Sequence, residues 1–170
     1  STLEELANAR AVFRKDGRVT AGNSCPQNDG GAAVVVVSEE KAKELGKKPL
    51  LEIVDFASSG LNPAVMGIGP IFAIQKLLDK TGVSLDQVEL IELNEAFASQ
   101  SIACIRALGL DPARVNPNGG AIALGHPLGA TGAVLTTKAA YAMQNAEREY
   151  CIVSMCVGGG EGAAALFRRP

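Results

Sequence analysis

The only histidine of the chain and one of its four cysteines stand in settings that suit proton-transfer chemistry. His126 follows a glycine-rich loop and precedes Pro127, a residue that suits the first turn of a helix. We therefore expect the imidazole at a helix N-terminus, where the helix dipole disfavours the charged ring and leaves a neutral proton acceptor. Cys156 ends an apolar run and enters a glycine-rich segment, whose bare N–H groups could hold an oxyanion while the thiolate attacks or removes a proton. The two residues are a possible catalytic pair, although their spacing alone does not establish contact.

A third candidate, Asn94, stands where a β-branched run becomes a helical pattern, a common place for active-site side chains in α/β sheets. Each candidate also has a structural interpretation. Asn94 could simply cap the helix, and a lone histidine is more often structural or solvated than catalytic. Cys156 could be a small buried hydrophobe, which is how we interpret Cys104 and Cys151.

Three familiar kinds of site are excluded by motif. Residues 120–125 have the glycine spacing of a phosphate loop but continue with His126 and Pro127 instead of Lys followed by Ser or Thr. No Gly-x-Gly-x-x-Gly stands between a strand and a helix, and a single histidine without Cys-x-x-Cys cannot form an ordinary zinc site. Phosphate-loop NTPases, dinucleotide enzymes and zinc proteins are thereby excluded.

Strand-like and helix-like segments alternate along the chain. The β-branched runs that predict strands are residues 32–37, 50–56, 88–93, 150–157 and, more weakly, 163–167. The segments with helical spacing or composition are residues 38–45, 70–81, 94–108 and 127–146, of which the last is apolar on nearly every side and is predicted to lie between two layers. The alternation predicts an α/β fold with a largely parallel sheet, whose last two strands form an antiparallel hairpin through residues 158–160.

The composition is that of a soluble globular protein. The 170 residues carry a formal net charge of -2, so nothing favours nucleic acid or an acidic membrane surface as a partner. No membrane span or signal peptide is apparent, and four separate cysteines do not resemble a disulfide framework, so we expect an intracellular protein with reduced thiols. The chain opens on Ser1 without an initiator Met, which suggests a piece of a larger protein.

Five segments together resemble the thiolase family. Residues 94–98 (Asn-Glu-Ala-Phe-Ala), 116–132 (Asn-Pro-Asn-Gly-Gly through Gly-His-Pro to Thr-Gly) and 156–162 (Cys-Val-Gly-Gly-Gly-Glu-Gly) resemble its three signatures in order and spacing. Upstream, residues 20–30 and 66–70 are similar to two further thiolase segments. The resemblance therefore covers nearly the whole chain.

The resemblance implies a chemistry and a set of roles. Thiolases make or break a carbon–carbon bond between acyl-CoA units by way of an acyl-cysteine, with no metal or redox cofactor. By position, His126 matches the histidine that activates the nucleophilic thiol and that, with a water held by Asn94, forms one oxyanion hole. Cys156 matches the cysteine that moves the α-proton, and the N–H of Gly158 matches a donor of the second oxyanion hole.

The resemblance also implies substrate contacts, and two departures accompany it. Met66 and Phe97 match residues that line the pantetheine tunnel. Cys25, followed by Pro26, stands where a Ser-Gly pair is common, at a position whose side chain approaches the acyl-CoA. No cysteine here matches the motif of the thiol that carries the acyl group, a thiol that lies in the N-terminal half of the family.

By resemblance, residues 1–48 are the tail of the thiolase N-terminal domain and residues 49–170 are the C-terminal domain. The expected fold is a mixed five-stranded sheet with helices on both faces, one half of a layered αβαβα architecture. Residues 1–48 are expected to be poorly ordered, because the strand predicted at residues 32–37 would lack its sheet partners.

The expected function is that of an acyltransferase acting on acyl-CoA thioesters. The reaction would be a reversible Claisen condensation. In one direction two acetyl-CoA give acetoacetyl-CoA and CoA, and in the other a 3-ketoacyl-CoA undergoes thiolysis. The alternative is a catalytically silent CoA-binding or assembly module, and we expect these 170 residues alone to be inactive. The full-length enzyme is expected to be a homodimer or homotetramer in the cytoplasm or an organelle matrix, with no nucleic-acid or membrane partner.

Overall fold

A four-stranded mixed sheet lies at the centre of the computed structural model, which describes residues 1–144 and 148–170. Its strands are β1 (Glu52–Gly60), β2 (Val88–Leu93), β3 (Tyr150–Val157) and β4 (Glu161–Arg168), in the order β1-β4-β3-β2. β2 and β3 are parallel, whereas β4 runs antiparallel to both of its neighbours. The predicted hairpin between the last two strands is confirmed.

Two features of the predicted sheet are wrong. Residues 32–37 form no strand, and Val35 is 90% exposed. Only one of the three strand pairs is parallel, because β1 lies at the far edge and pairs with the returning β4 rather than with β2. The expected five strands are therefore four in the described residues, with a single parallel bridge from Ile91 to Val115 beyond β2.

Helices cover both faces of the sheet, as predicted. On one face lie α3 (Gly69–Thr81) and α4 (Ala98–Leu108), and on the other lies α6 (Thr131–Gln144). Alternate residues of β3 face the two layers, because successive side chains of a strand point to opposite sides. Thus Ile152 joins the core with α3, while Cys151 and Val153 join the core with α6.

Asn94 does not cap a helix, contrary to the structural interpretation of this residue. The predicted helix 94–108 begins only at Ala98, because the backbone N–H of Asn94 continues the sheet pairing and donates to the carbonyl of Ser154 at 2.9 Å. Phe97 occupies the N-cap position of α4, and Oε1 of Gln100 in the first turn accepts from the N–H groups of Ala96 (3.1 Å) and Phe97 (3.5 Å). The buried Asn94 amide is thereby available for another role.

The helix predicted over residues 127–146 begins later and is buried on one side only. Residues 127–130 form a turn in which the carbonyl of Pro127 accepts from the N–H groups of Ala130 and Thr131, so α6 starts at Thr131. Its predicted end at residue 146 lies outside the described residues. The ring of Tyr141 is 60% exposed, so the described chain covers one face of α6 rather than enclosing it between two layers.

The first 48 residues bury little of their own surface. They contain the short helices α1 (Leu3–Asn8) and α2 (Glu39–Glu44), and their buried residues are Thr20 and Ala42. A capping box at Thr2 satisfies the first N–H groups of α1, and Ser38 accepts from the backbone of α2 in the same way. Within the described part of the chain, no helix has the length and apolar character needed to cross a membrane.

Candidate active site

Asn94 and Cys156 lie at the same edge of the sheet because β2 and β3 are parallel neighbours. Asn94 follows the last residue of β2, and Cys156 is the next-to-last residue of β3. The register places Leu93 opposite Ser154, so both side chains emerge where the two strands end. Gly158 follows β3 directly and is exposed. The structure thus brings three of the four predicted catalytic residues to one edge.

His126 reaches the same edge from a loop between α6 and the one-turn helix α5 (Ala121–Leu124). Gly125 has a φ of +103°, a conformation that side chains rarely adopt, and this turn redirects the chain after α5. The imidazole Nε2 lies 3.4 Å from Nδ2 of Asn94, although the two residues are 32 positions apart in sequence. The predicted grouping of His126 with Asn94 is therefore present as a side-chain contact.

The hydrogen bonds around the imidazole select one tautomer. Nδ1 lies 2.7 Å from the hydroxyl of Thr131, and this hydroxyl donates its single hydrogen to the carbonyl of Pro127 at 3.0 Å. With its hydrogen directed to Pro127, the Thr131 oxygen is assigned as the acceptor of Nδ1–H, and this assignment leaves a lone pair on Nε2 facing the Asn94 amide. The ring is arranged to accept a proton at Nε2.

Burial lowers the pKa of His126 below its ordinary value, so the ring is neutral at neutral pH. A neutral ring is also predicted from the sequence, but for a different reason, the dipole of a helix beginning at Pro127. Because α6 begins only at Thr131, the imidazole does not occupy the first turn of the helix, and the loss of hydration accounts for the lowered pKa.

The segment around residue 28 holds the histidine loop from the outside. The backbone N–H of His126 donates to Oδ1 of Asn28 at 2.8 Å, and a parallel bridge joins Gln27 to His126. A Cβ on Gly125 would lie 2.7 Å from the same Asn28 oxygen, so this position has room only for glycine. Residues far apart in the chain therefore set the position of His126.

Cys25 lies beside the loop that follows Asn94. Its N–H donates to the carbonyl of Ala96 at 3.1 Å, and a bridge joins Ser24 to Phe97.

Burial raises the pKa of the Cys156 thiol, a hydrogen bond to its own backbone opposes this, and the nearby Cys25 raises the pKa slightly further. At neutral pH Cys156 is therefore a protonated thiol, and the thiolate that the sequence argument invoked is not its resting form.

Phe97 and Met66 lie on adjacent segments next to this edge. Met66 belongs to a 3₁₀ turn (Pro63–Ile68), which contacts α4 where a Cβ on Gly67 would meet the side chain of Gln100 at 2.9 Å. The ring of Phe97 meets that of Phe13 edge to face, with 6.1 Å between the centroids. Both predicted substrate contacts are half-buried.

The described residues contain no group of three or more His, Cys, Asp or Glu side chains arranged to hold a metal ion. Cys104 and Cys151 are fully buried in the two cores, as their structural interpretation predicted. Burial raises the pKa of Cys151 to about 12, so its thiol is inert at neutral pH.

Comparison with known proteins decides the family. The profile of the thiolase C-terminal domain matches residues 47–169, and that of the thiolase N-terminal domain matches residues 1–40. The chain belongs to the thiolase family. The resemblance drawn from the five sequence segments is thereby confirmed, and the α/β fold is part of the thiolase fold.

Curated relatives and solved structures agree with this assignment. The thiolase chain is 51% identical to an acetyl-CoA acetyltransferase of Pseudomonas aeruginosa and 50% identical to a 3-ketoacyl-CoA thiolase of Bacillus subtilis, covering 99% and 98% of this chain. It superimposes on the Bacillus anthracis acetyl-CoA acetyltransferase with a TM-score of 0.97 at 47% identity over 99% of this chain. For human mitochondrial 3-ketoacyl-CoA thiolase in complex with CoA, the TM-score is 0.94 at 44% identity over 100% of this chain. In each case the chain spans 43% of the relative's length.

Sequence reasoning missed several residues that build the site of this thiolase chain. Asn28 and Thr131 hold His126, and Glu95 contacts two loops at once. Phe13 is 73% exposed although its ring contacts that of Phe97. The sequence has five Phe, two Tyr and no Trp, and it does not indicate that one of these Phe residues is exposed. A signal was present for all three, since Asn28, Glu95 and Thr131 lie inside the segments that resemble the family, but their contacts are set by the tertiary structure.

Proposed function

We propose that this chain supplies the acid–base and oxyanion groups of a thiolase that catalyses the reversible Claisen condensation of acyl-CoA thioesters. The observation that carries the proposal is the 3.4 Å approach of His126 Nε2 to Asn94 Nδ2 beside the strand end that bears Cys156. The relatives named as acetyl-CoA acetyltransferase and 3-ketoacyl-CoA thiolase support the same reaction.

His126 has two tasks in this proposal. Its Nε2 lone pair takes the proton of the nucleophilic thiol when that thiol attacks the first acyl-CoA, and the CoA thiolate that leaves takes the proton of the Cys156 thiol. The resulting Nε2–H then points towards Asn94, where it can donate, together with a water held by the amide, to the enolate oxygen of the second acyl-CoA. Thr131 supports both states because it keeps Nδ1 protonated.

Cys156 moves the α-proton. In thiolysis the protonated thiol gives its proton to the α-carbon of the departing enolate, and in condensation the thiolate takes it back. The raised pKa of the half-buried thiol suits the first of these steps, because the resting chain already holds the proton to be delivered. Gly158 is exposed, and its N–H is proposed as a donor to the second oxyanion.

The acyl-CoA would lie across the adjacent apolar residues. Met66 and Phe97 are proposed to line the pantetheine arm, with Phe13 extending the surface beyond Phe97. Cys25 would approach the acyl group, because its backbone is bonded to Ala96 two residues beyond Asn94. CoA thioesters serve as substrates, and no metal or redox cofactor takes part.

The remaining groups of the reaction would come from the rest of a full thiolase. Of the four cysteines, two are buried in the cores and two flank the proposed proton-transfer site, so none is assigned as the acyl carrier. We propose residues 1–48 as part of the N-terminal domain and residues 49–170 as the C-terminal domain of a homodimer or homotetramer acting in the cytoplasm or an organelle matrix, within fatty acid metabolism.

A second candidate function is a catalytically silent CoA-binding or assembly module. The observation that favours it is the lack of an assigned acyl-carrying thiol among the four cysteines. The two candidates differ in turnover: both bind CoA, but only the first cleaves acetoacetyl-CoA once the thiolase N-terminal half is supplied.

The test uses the chain alone and joined to the N-terminal portion of the Pseudomonas aeruginosa relative, which we call the joined enzyme. Thiolysis of acetoacetyl-CoA is followed with CoA as the second substrate. We expect no turnover by the 170 residues alone and turnover by the joined enzyme. Turnover by the chain alone would overturn the division of roles, and a folded, CoA-binding but inactive joined enzyme would favour the silent module.

A further inference from the structure

The carboxylate of Glu95 lies between the loop that carries Asn94 and the segment that leads to His126. Its Oε1 accepts from Nδ2 of Asn116 at 3.2 Å, and its Oε2 accepts from the backbone N–H of Ile122, also at 3.2 Å. Ile122 belongs to α5, and three residues separate it from His126 along the chain. One carboxylate therefore connects the two loops whose side chains meet in the site.

Asn116 anchors the other end of this connection to the sheet. Its Oδ1 accepts from the N–H of Leu93 at 2.9 Å and its Nδ2 donates to the carbonyl of Leu93 at 2.8 Å, as a neighbouring strand would. Asn116 has a φ of +47°, a left-handed conformation that a non-glycine residue adopts only where its surroundings stabilise it. The chain at residue 116 is thus bound to the last residue of β2.

Gly120 packs against the carboxylate of Glu95. A Cβ at this position would lie 2.0 Å from Cδ of Glu95, so any side chain there would displace the carboxylate. The φ of Gly120 is -112°, which every residue adopts, and the close approach alone accounts for the glycine. The backbone of residue 120 is therefore packed directly against Glu95.

We propose that Glu95 is a positioning residue that holds α5 against the end of β2 and thereby sets the distance between His126 Nε2 and Asn94 Nδ2. The helix α5 has a single turn, closed by the N–H of Gly125 on the carbonyl of Ala121, so a shift of its first residues moves His126 with it. The link between this position and catalysis rests on the proposed function, but the position itself does not.

The two groups that hydrogen-bond to Glu95 require a carboxylate at this position. The two groups that face it, the Asn116 amide and the Ile122 N–H, are both donors, and a carboxylate offers an acceptor to each. A glutamine has one oxygen and one NH₂, so it would set a donor against a donor. An aspartate would be one methylene short of both partners.

The first test uses His126 as its own probe, because it is the only histidine of the chain. ¹⁵N NMR of the 170-residue chain reports the ring tautomer and the pKa. We expect the Nδ1–H tautomer in the unsubstituted chain. In Glu95→Gln we expect a mixture of tautomers and a pKa shifted upwards towards that of a hydrated histidine, since a released loop gains water. The matched control is Asp79→Asn on the exposed face of α3, which should leave both values unchanged.

The direction of the pKa change separates positioning from simple electrostatics. Removing a negative charge without moving the ring would lower the pKa of His126, because the imidazolium would lose an attractive partner. A downward shift, or an unchanged tautomer and pKa in folded Glu95→Gln, would overturn the proposal.

A second pair of variants keeps the proposal testable if Glu95→Gln does not fold. Gly120→Ala displaces the carboxylate from the opposite side, and Glu95→Ala removes the group that the new methyl would strike. If the contact is as described, Gly120→Ala perturbs the His126 signals in the native background and has little further effect in Glu95→Ala. Equal effects of Gly120→Ala in both backgrounds would contradict the proposed contact.

The kinetic consequence is measured in the joined enzyme. Glu95→Gln should lower kcat on the order of tenfold to a hundredfold with little change in KM for CoA, since it misplaces the imidazole without touching Met66 or Phe97. A rise in KM at constant kcat would contradict a positioning role. An inactive joined enzyme without substitutions would instead count against the proposed function, and the NMR comparison would still decide the role of Glu95.

Discussion

The loop that carries His126 and the strand end that carries Cys156 reach the same edge of the sheet by different means. Side-chain hydrogen bonds hold His126: Asn28, distant in the chain, binds its backbone, and Thr131, five residues further on, binds its ring. Backbone pairing of β3 with β4 holds Cys156, which lies opposite Gly162, and the chain then opens into exposed glycines. The histidine side should therefore be sensitive to side-chain changes, and the cysteine side to changes that disturb the backbone.

The largest expected effect comes from removing either reacting group in the joined enzyme. His126→Ala and Cys156→Ala should each lower kcat by about 10²–10⁴-fold, because one removes a base and oxyanion donor and the other removes the proton carrier. Cys104→Ala, which alters a buried thiol of the core, serves as the control for cysteine substitution and is assayed together with its stability. A near-normal rate for either variant would contradict the role given to that residue.

Asn94→Ala should have a smaller effect on the histidine side. Its amide is proposed to orient a water rather than to react, and water can remain in the pocket with a poorer orientation. We expect a loss in kcat on the order of tenfold to a hundredfold, measured by thiolysis of acetoacetyl-CoA in the joined enzyme. A loss as large as that of His126→Ala would show that Asn94 does more than hold a water.

On the cysteine side, Gly162→Ala should act on stability. A Cβ at residue 162 would lie 2.1 Å from the carbonyl oxygen of Gly69, so the first turn of α3 and the strand opposite Cys156 would have to separate. We expect a decrease of about 1–3 kcal/mol in the free energy of unfolding, measured with urea. Gly60→Ala is the matched control, because a Cβ there meets nothing within 4 Å, and an equal decrease in both would refute the steric cause.

The smallest expected effects are opposite pH dependences of stability on the two sides. The folded-state pKa of His126 is lowered, so its contribution to stability is present above the unfolded pKa of about 6.5 and is lost as the pH falls towards the folded value. The folded-state pKa of Cys156 is raised, so its contribution is present below the unfolded pKa of about 8.5 and is lost as the pH rises. The free energy of unfolding is measured from pH 5 to 10 for the unsubstituted chain, His126→Gln and Cys156→Ser. The difference between the unsubstituted chain and His126→Gln should rise with pH, and the difference from Cys156→Ser should fall with pH. Parallel profiles would contradict the difference between the sides.

Local pattern was sufficient for the strands that carry the site. The predicted runs 88–93 and 150–157 are the observed β2 and β3, because both are β-branched and buried on both faces. The helix at residues 70–81 was predicted within one residue of α3. The start of α4 was placed four residues early, since a good capping residue in sequence turned out to be the continuation of a strand.

The first 48 residues show where local pattern was insufficient. The run 32–37 has the composition of a strand, but a strand also needs a neighbour for its N–H and C=O groups, and the described residues place none there. The expectation that residues 1–48 are poorly ordered stays a prediction. The contacts of Cys25 with Ala96 and of Asn28 with His126 nevertheless bind part of this segment to the site.

The sequence by itself determined which residues have the chemistry, because the types and order of the His126, Cys156 and Asn94 segments carry the family resemblance. Only the tertiary structure decided their distances, the tautomer of the imidazole and the protonated state of the Cys156 thiol. The physical reason is that hydrogen-bond geometry and burial depend on groups far apart in the chain. Asn28 and Glu95 act through partners that lie 98 and 27 positions away, which local sequence patterns do not encode.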